Sequence, residues 1–358
     1  MFNNIFADKK VLITGHNGFK GSWLTQWLTL LDAKIIGVSL KPLDSLNHWN
    51  SLNLNLTSQY ITNINNYQKL SLIFKKENPE IVFHLAAQPI VREGFKSPLN
   101  TWATNVMGTA NLLDCCRHSK SVKAVVVVTT DKCYENNESL WGYREDDKLG
   151  GKDPYSASKA SSELVVQSFR NPKLNLSNET KYATARAGNV IGGGDWSQDR
   201  LIPDAIKSLI NGSNLVIRSP NSTRPWQHVL DCLSGYLLLA QNLFQYGDEF
   251  ARSWNFGPNF YKKITVEDIL FQLKNHIPSI NWDINSDEIT GESTQLSLDS
   301  TLSRTKLGWE PVWNHEQSIF KTADWYKNFF SNGSIKTLDN VDEYINEAIR
   351  KEIIWTKN

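Results

Sequence analysis

Cysteine is scarce in this chain. The 358 residues contain 4, Cys115, Cys116, Cys133 and Cys232, and they form no Cys-x-x-Cys or Cys/His ligand spacing. That argues against a disulfide framework and a metal site, and a reducing cytoplasm is the expected compartment. No apolar run reaches the roughly 18 residues of a membrane span, and no signal-peptide pattern is present, so neither membrane insertion nor secretion is expected. Charge of one sign is lacking too: 38 Lys and Arg against 37 Asp and Glu leave a net charge of +1. Without a basic block, nucleic acid is not an expected partner. Internal repeats and low-complexity tracts are absent as well.

Among the residues present, tryptophan stands out, with 13 copies. Most are expected in the core, and some could line a sugar or base pocket. A short apolar strand, Lys10-Val-Leu-Ile-Thr14, runs into Gly15-His-Asn-Gly18-Phe-Lys-Gly21 and then into an apolar helix beginning Ser22-Trp-Leu. Strand, glycine turn and helix in that order let backbone approach a dinucleotide pyrophosphate at a positive helix end. The glycine spacing is three and three, where the usual fingerprint has two and three. The second strand, within Ala33 to Lys41, lacks the acid that would read a free ribose hydroxyl. It therefore does not decide between NAD and NADP, and Lys41 leaves room for a 2′-phosphate.

Candidate strands at 9–14, 34–39, 80–85, 122–129 and 182–187 alternate with helices at 19–31, 66–77, 99–118 and 155–170. This rhythm predicts an α/β fold with a doubly wound parallel sheet, a Rossmann domain over 1–190. The Asn-rich patches at 47–66 read as loops. Past residue 190 the rhythm loosens, with helices near 201–211, 228–244, 265–275 and 315–330. Residues 191–332 are expected to form a smaller substrate lobe interleaved with the first domain, and 333–358 a helical tail.

The chemistry concentrates at Thr129-Thr130-Asp131-Lys132, which closes an apolar run, and at Tyr155-Ser-Ala-Ser-Lys159. Residues i and i+4 share a helix face. Lys159 is expected beside the Tyr155 phenol, its charge lowering a pKa that is ordinarily about 10. Of the 11 tyrosines, only Tyr155 has a lysine four positions on. A phenol tuned this way can accept a hydroxyl proton near neutral pH.

Together, Gly15-x-x-Gly18-Phe-x-Gly21, His84-Leu-Ala-Ala87, Asn105, Thr130, Tyr155 and Lys159 resemble the extended short-chain dehydrogenase/reductases that act on nucleotide sugars. Three further stretches narrow the resemblance: Thr130 to Asn136, Arg186 to Trp196 with Asp199 to Asp204, and Arg224 to Leu230. They are similar to the CDP-glucose 4,6-dehydratase branch. The resemblance implies bound NAD, a nucleotide-sugar substrate such as CDP-glucose, and a homodimer or tetramer through helices 99–118 and 155–170. It also implies oxidation at C4, loss of the C5 hydrogen and C6 hydroxyl as water, and hydride return to C6.

On that resemblance, Gly15, Asn17, Gly18, Phe19, Gly21, Asn63, Ile64, Leu85, Ala86, Ala87, Asn105, Thr129, Tyr155 and Lys159 border the cofactor. Thr130, Asp131, Lys132, Tyr155 and Lys159 carry the chemistry. Asp131 protonates the departing hydroxyl and must be held neutral by burial. Lys132 stands where the dTDP-glucose dehydratases have a glutamate, and it acts either as the C5 base or as an electrostatic stabiliser. Gln88, Arg92, Asn189, Arg200, Arg224 and His228 are implied in substrate binding, with the guanidinium groups suited to a pyrophosphate. Asn105 either holds a water chain to Lys159 or is a polar core residue. Asn63 stands where the family commonly has an adenine-reading Asp. A 4-epimerase would use the same glycines, Thr130, Tyr155 and Lys159, but it needs neither Asp131 nor Lys132, so that pair favours dehydration.

Overall fold

Short β-branched runs become the interior strands of a parallel sheet. The computed structural model describes residues 1–42, 46–174, 179–258, 264–285 and 295–357. The first elements are β1 (Lys10–Thr14), α1 (Phe19–Leu30), β2 (Lys34–Ser39), α2 (His48–Leu52), β3 (Ser58–Ile61), α3 (Tyr67–Glu77) and β4 (Ile81–His84). Next come α4 (Val91–Lys96), α5 (Pro98–Trp102), α6 (Gly108–His118), β5 (Ala124–Val128), α7 (Pro154–Phe169) and β6 (Lys181–Ala187). Then follow β7 (Val190–Ile191), α8 (Leu201–Ile210), β8 (Leu215–Ile217), β9 (Gln227–His228), α9 (Val229–Tyr246) and β10 (Ser253–Phe256). The chain ends with α10 (Val266–His276), β11 (Trp282–Ile284), α11 (His315–Asn332) and α12 (Thr337–Arg350).

The large sheet has the order β10-β6-β5-β4-β1-β2-β3, with every pair parallel. The chain winds outward from β1 in both directions, as a doubly wound fold requires. Between β1 and β4 the order reverses, and ligands in such sheets bind beyond the carboxyl ends of the strands there. Every residue of β4 and β5 is buried, as expected of strands covered by helices on both faces. Beyond β6, β8 pairs with β11 and β7 with β9, while α9 and β10 return to the large sheet. The tail helix α12 packs its Tyr344 ring edge-on to Trp27 of α1, centroids 5.6 Å apart.

Two strands of the sheet fall outside the sequence expectation. β3 lies at the sheet edge inside the Asn-rich patch and buries none of its residues fully, so its apolar signal is weak. β10 is broken as an apolar run by Asn255, which is fully buried. That side chain accepts from the Tyr134 hydroxyl at 2.7 Å and donates to the carbonyls of Tyr143 and Asp299. The expected helix over 99–118 runs from Pro98 to His118 with a π turn at Ala103–Met107, centred on Asn105. Among the described residues, no helix is long and apolar enough to cross a membrane.

Candidate active site

The glycine turn is shaped by close backbone approach. Gly15 has φ +73°, and a Cβ there would lie 2.8 Å from Ala86 N. A Cβ on Gly21 would lie 2.0 Å from the Gly15 carbonyl oxygen. Among the described residues no side chain caps α1 at Gly18, which leaves backbone N–H groups at the positive helix end, a cradle that fits a dinucleotide pyrophosphate. Thr14 Oγ1 accepts from Ala86 N at 3.2 Å and pairs with His84 Nδ1 at 2.6 Å, tying the turn to Leu85, Ala86 and Ala87. Asn17 donates to the Leu40 carbonyl at 2.7 Å and closes the turn onto the end of β2. Asn63 accepts from Asn65 N at 2.8 Å within its own loop, and Ile64 is buried.

Across the switch point, β5 runs out into Thr129–Lys132 while α7 brings Tyr155 and Lys159. Asp153 caps α7 by accepting from Ser156 N at 2.9 Å, and Pro154 occupies its first turn, a helix start that fixes where Tyr155 emerges. Thr130, Asp131, Lys132 and Tyr155 line one cavity with Arg92, Asn189, Arg200, Arg224 and Trp226. Arg92 also pairs with Asp199 across it at 3.3 Å. Asp131 Oδ1 accepts from the Thr130 hydroxyl at 2.9 Å. Burial raises the Asp131 pKa against the pull of Lys132, Thr130, Arg224 and Lys20, the direction that a proton-donating role requires.

The phenol departs from expectation. Burial pushes Tyr155 up to about 12, with the Thr130 hydroxyl and the Arg200 charge pulling it back down. Lys159 donates to the Val128 carbonyl at 3.2 Å and is itself lowered to about 8 by burial. The groups that favour the phenolate are Thr130 and Arg200, while one donor of the lysine holds the strand backbone.

Behind the strand end lies a buried ion pair. Glu163 accepts from Thr129 Oγ1 at 2.5 Å, Thr184 Oγ1 at 2.7 Å and Arg186 Nη2 at 2.9 Å. Arg186 also donates to the Tyr134 hydroxyl at 2.8 Å. One network thus joins α7, β5, β6 and the turn that follows Asp131.

Two residues implied for substrate do not line the cavity. His228 is fully buried between the Trp23 and Trp313 rings, and its Nδ1 accepts from Leu230 N at 3.2 Å to cap α9. Burial drops its pKa to about 3, so it is a neutral core group. Gln88 is buried, with its amide donating to Thr101 Oγ1 and its carbonyl accepting from Ile90 N. The Asn105 side chain is committed to both backbone groups of Gln88 and to Ser158 Oγ, the polar-core alternative. Three residues near the chemistry were not singled out from sequence. Lys20 donates to the Tyr236 hydroxyl at 3.4 Å and has its pKa lowered by burial. Glu163, one turn beyond Lys159, was signalled by the same i, i+4 spacing. Gly188 follows β6 directly and lines the cavity.

The model of the NAD dependent epimerase/dehydratase family matches residues 11–251. A CDP-glucose 4,6-dehydratase of Salmonella typhimurium is 43% identical over 90% of this chain and 92% of its own. The dTDP-D-glucose 4,6-dehydratase of Dictyostelium discoideum is 29% identical, covering 93% of this chain and 86% of its own. Among solved structures, the dTDP-glucose 4,6-dehydratase DesIV of Streptomyces venezuelae, with NAD and TYD bound, superposes with a TM-score of 0.76 at 22% identity. That match covers 89% of this chain and 97% of DesIV and speaks for a shared fold.

Proposed function

The chain belongs to the NAD dependent epimerase/dehydratase family, and within it we propose that this protein is a CDP-glucose 4,6-dehydratase, a hydro-lyase yielding CDP-4-dehydro-6-deoxy-D-glucose and water. The observation that carries this reading is a buried Asp131, its pKa raised by burial, beside Tyr155 and Lys132 in one cavity. An epimerase has no use for that acid. The Salmonella relative supports cytosine as the base.

NAD, held by the Gly15–Gly21 turn and the Leu85–Ala87 segment, supplies a reversible hydride acceptor. Tyr155 takes the proton of the sugar 4-hydroxyl as the phenolate, a form that burial opposes and that the Thr130 hydroxyl and the Arg200 charge favour, with Thr130 bonding the same oxygen. The resulting 4-ketone acidifies the C5 hydrogen. Asp131 then gives its proton to the C6 hydroxyl as the C6–O bond breaks, while Lys132 stands close by to take the C5 proton or to steady the enolate. Arg200 and Arg224 suit the pyrophosphate because planar guanidinium groups match phosphate oxygens.

The substrate lobe is assigned to 191–332 and the compartment to the cytoplasm. We assign a homodimer through the helices over 98–118 and 154–169. Leu99, Met107 and Leu164 stand exposed on them, apolar area that a second copy would cover. A 4-keto-6-deoxy sugar nucleotide is a precursor for deoxysugars of surface polysaccharide, and that destination is part of the proposal. Parallel incubations with CDP-, dTDP-, UDP- and GDP-glucose, followed for 4-ketone formation, test the base. Preference for any base other than cytosine contradicts the reading.

A further inference from the structure

The two oxygens of Asp131 have different surroundings. Oδ1 accepts from Thr130 Oγ1 at 2.9 Å, whereas Oδ2 is buried and has no hydrogen-bond partner among the described residues. A bare, ionised oxygen in such a place is costly, and an O–H there is less so. Gly188 lies against Oδ2, with the Pro225 ring next to Gly188. A Cβ on Gly188 would lie 2.9 Å from Asp131 Oδ2 and 2.3 Å from Pro225 Cγ. Gly188 does not adopt the left-handed conformation, so its backbone does not require glycine. The space does. Gly188 and Asp131 also line the same cavity.

We propose that Gly188 is a positioning residue for water loss: with the Pro225 ring it leaves Asp131 Oδ2 a dry berth, so that this oxygen carries the proton and aims it at the departing C6 hydroxyl. The inference rests on the dehydratase reading. In the step, the Oδ2–H bond breaks as the proton passes to the C6 oxygen. The C6–O pair leaves with that oxygen as water, and the C5–H pair becomes the C5–C6 double bond as its proton goes to the base. Asp131 remains as the carboxylate and regains a proton from water. C4 oxidation relies on Tyr155 and Thr130 and does not involve Oδ2, so the two halves of the reaction are separable. The ionisable groups around the carboxyl are Lys20 on α1, Lys132 and Cys133 in its own turn, Tyr155 on α7, Arg224 beside Pro225, and Tyr236 on α9. Burial outweighs the three cations.

The test compares the full-length parent with Pro225→Ala and with the double variant Gly188→Ala/Pro225→Ala, in which the added methyl no longer meets the proline ring. With CDP-glucose, the double variant is expected to oxidise C4 within about tenfold of the parent, while product formation falls by about 10²-fold or more, the scale of a lost general acid. In Pro225→Ala, water reaches Oδ2 and the acid ionises more readily. The alkaline limb of product formation then moves to lower pH while that of C4 oxidation stays in place. Infrared difference spectra against Asp131→Asn at neutral pH should show a protonated-carboxyl band in the parent. Equal losses in both half-reactions, parental product formation in the double variant, an unmoved limb, or a missing infrared band would each overturn the inference. A parent that fails to oxidise C4 would overturn the dehydratase reading along with it, whereas an active parent with any of those results overturns the inference alone.

Discussion

The Lys159 ammonium donates to the carbonyl oxygen of Val128 at 3.2 Å, bridging the helix that carries Tyr155 and the strand that leads into Thr130. It acts as a clamp between the two catalytic segments as well as a charge. Burial lowers its pKa to about 8, so the ammonium is present below that pH and lost above it. C4 oxidation, the half-reaction that does not use the Asp131 acid, is expected to fall as pH rises through about 8. In Lys159→Arg, whose charge does not titrate in this range, that limb moves upward. A pH–rate profile with an unmoved limb contradicts the assignment.

Tyr155→Phe removes the phenolic oxygen that accepts the proton of the sugar 4-hydroxyl and leaves the glycine turn untouched. Turnover should drop by about 10²-fold or more, with NAD affinity, read by fluorescence titration, nearly unchanged. Retained turnover would take Tyr155 out of the mechanism.

Asp131→Asn keeps the shape of the side chain and removes the acid. C4 oxidation should proceed and then stall, so that reduced-nicotinamide absorbance accumulates during a single turnover while no 6-deoxy product forms. In the parent, the acid is competent only while protonated. Product formation must therefore decline as pH rises through the raised Asp131 pKa, whose elevation comes from burial.

Glu163 and Arg186 are both almost wholly buried and bond to one another at 2.9 Å. Removing one partner strands the other's charge. Arg186→Met should destabilise the fold by about 3–5 kcal/mol, measured by urea unfolding. A loss below about 1 kcal/mol would mean that the pair contributes little.

Much of this site was legible in the sequence because its signals are local. The Gly15–Gly21 turn follows an apolar strand directly, and Tyr155 and Lys159 are one turn apart. Thr130, Asp131 and Lys132 close an apolar run. What was not legible depends on contacts between distant segments. His228 lies within a motif-like stretch, yet Trp23 and Trp313 enclose it from far along the chain. β10 escaped because its buried Asn255 is satisfied by Tyr134, Tyr143 and Asp299, and apolar patterning does not register a satisfied polar hub. The phenol's surroundings were misjudged for a related reason. Spacing places Lys159 on the face of Tyr155, but only the fold shows a Lys159 donor reaching the Val128 carbonyl and the Arg200 charge acting on the phenol.

The most direct test of the account follows one hydrogen atom. CDP-glucose carrying deuterium at C4 is incubated with the purified protein, and the product is read by NMR. The account predicts a 4-keto-6-deoxy sugar with the deuterium at C6. Deuterium retained at C4 of a galactose-configured product, or a 6-deoxy product with no deuterium at C6, would contradict it.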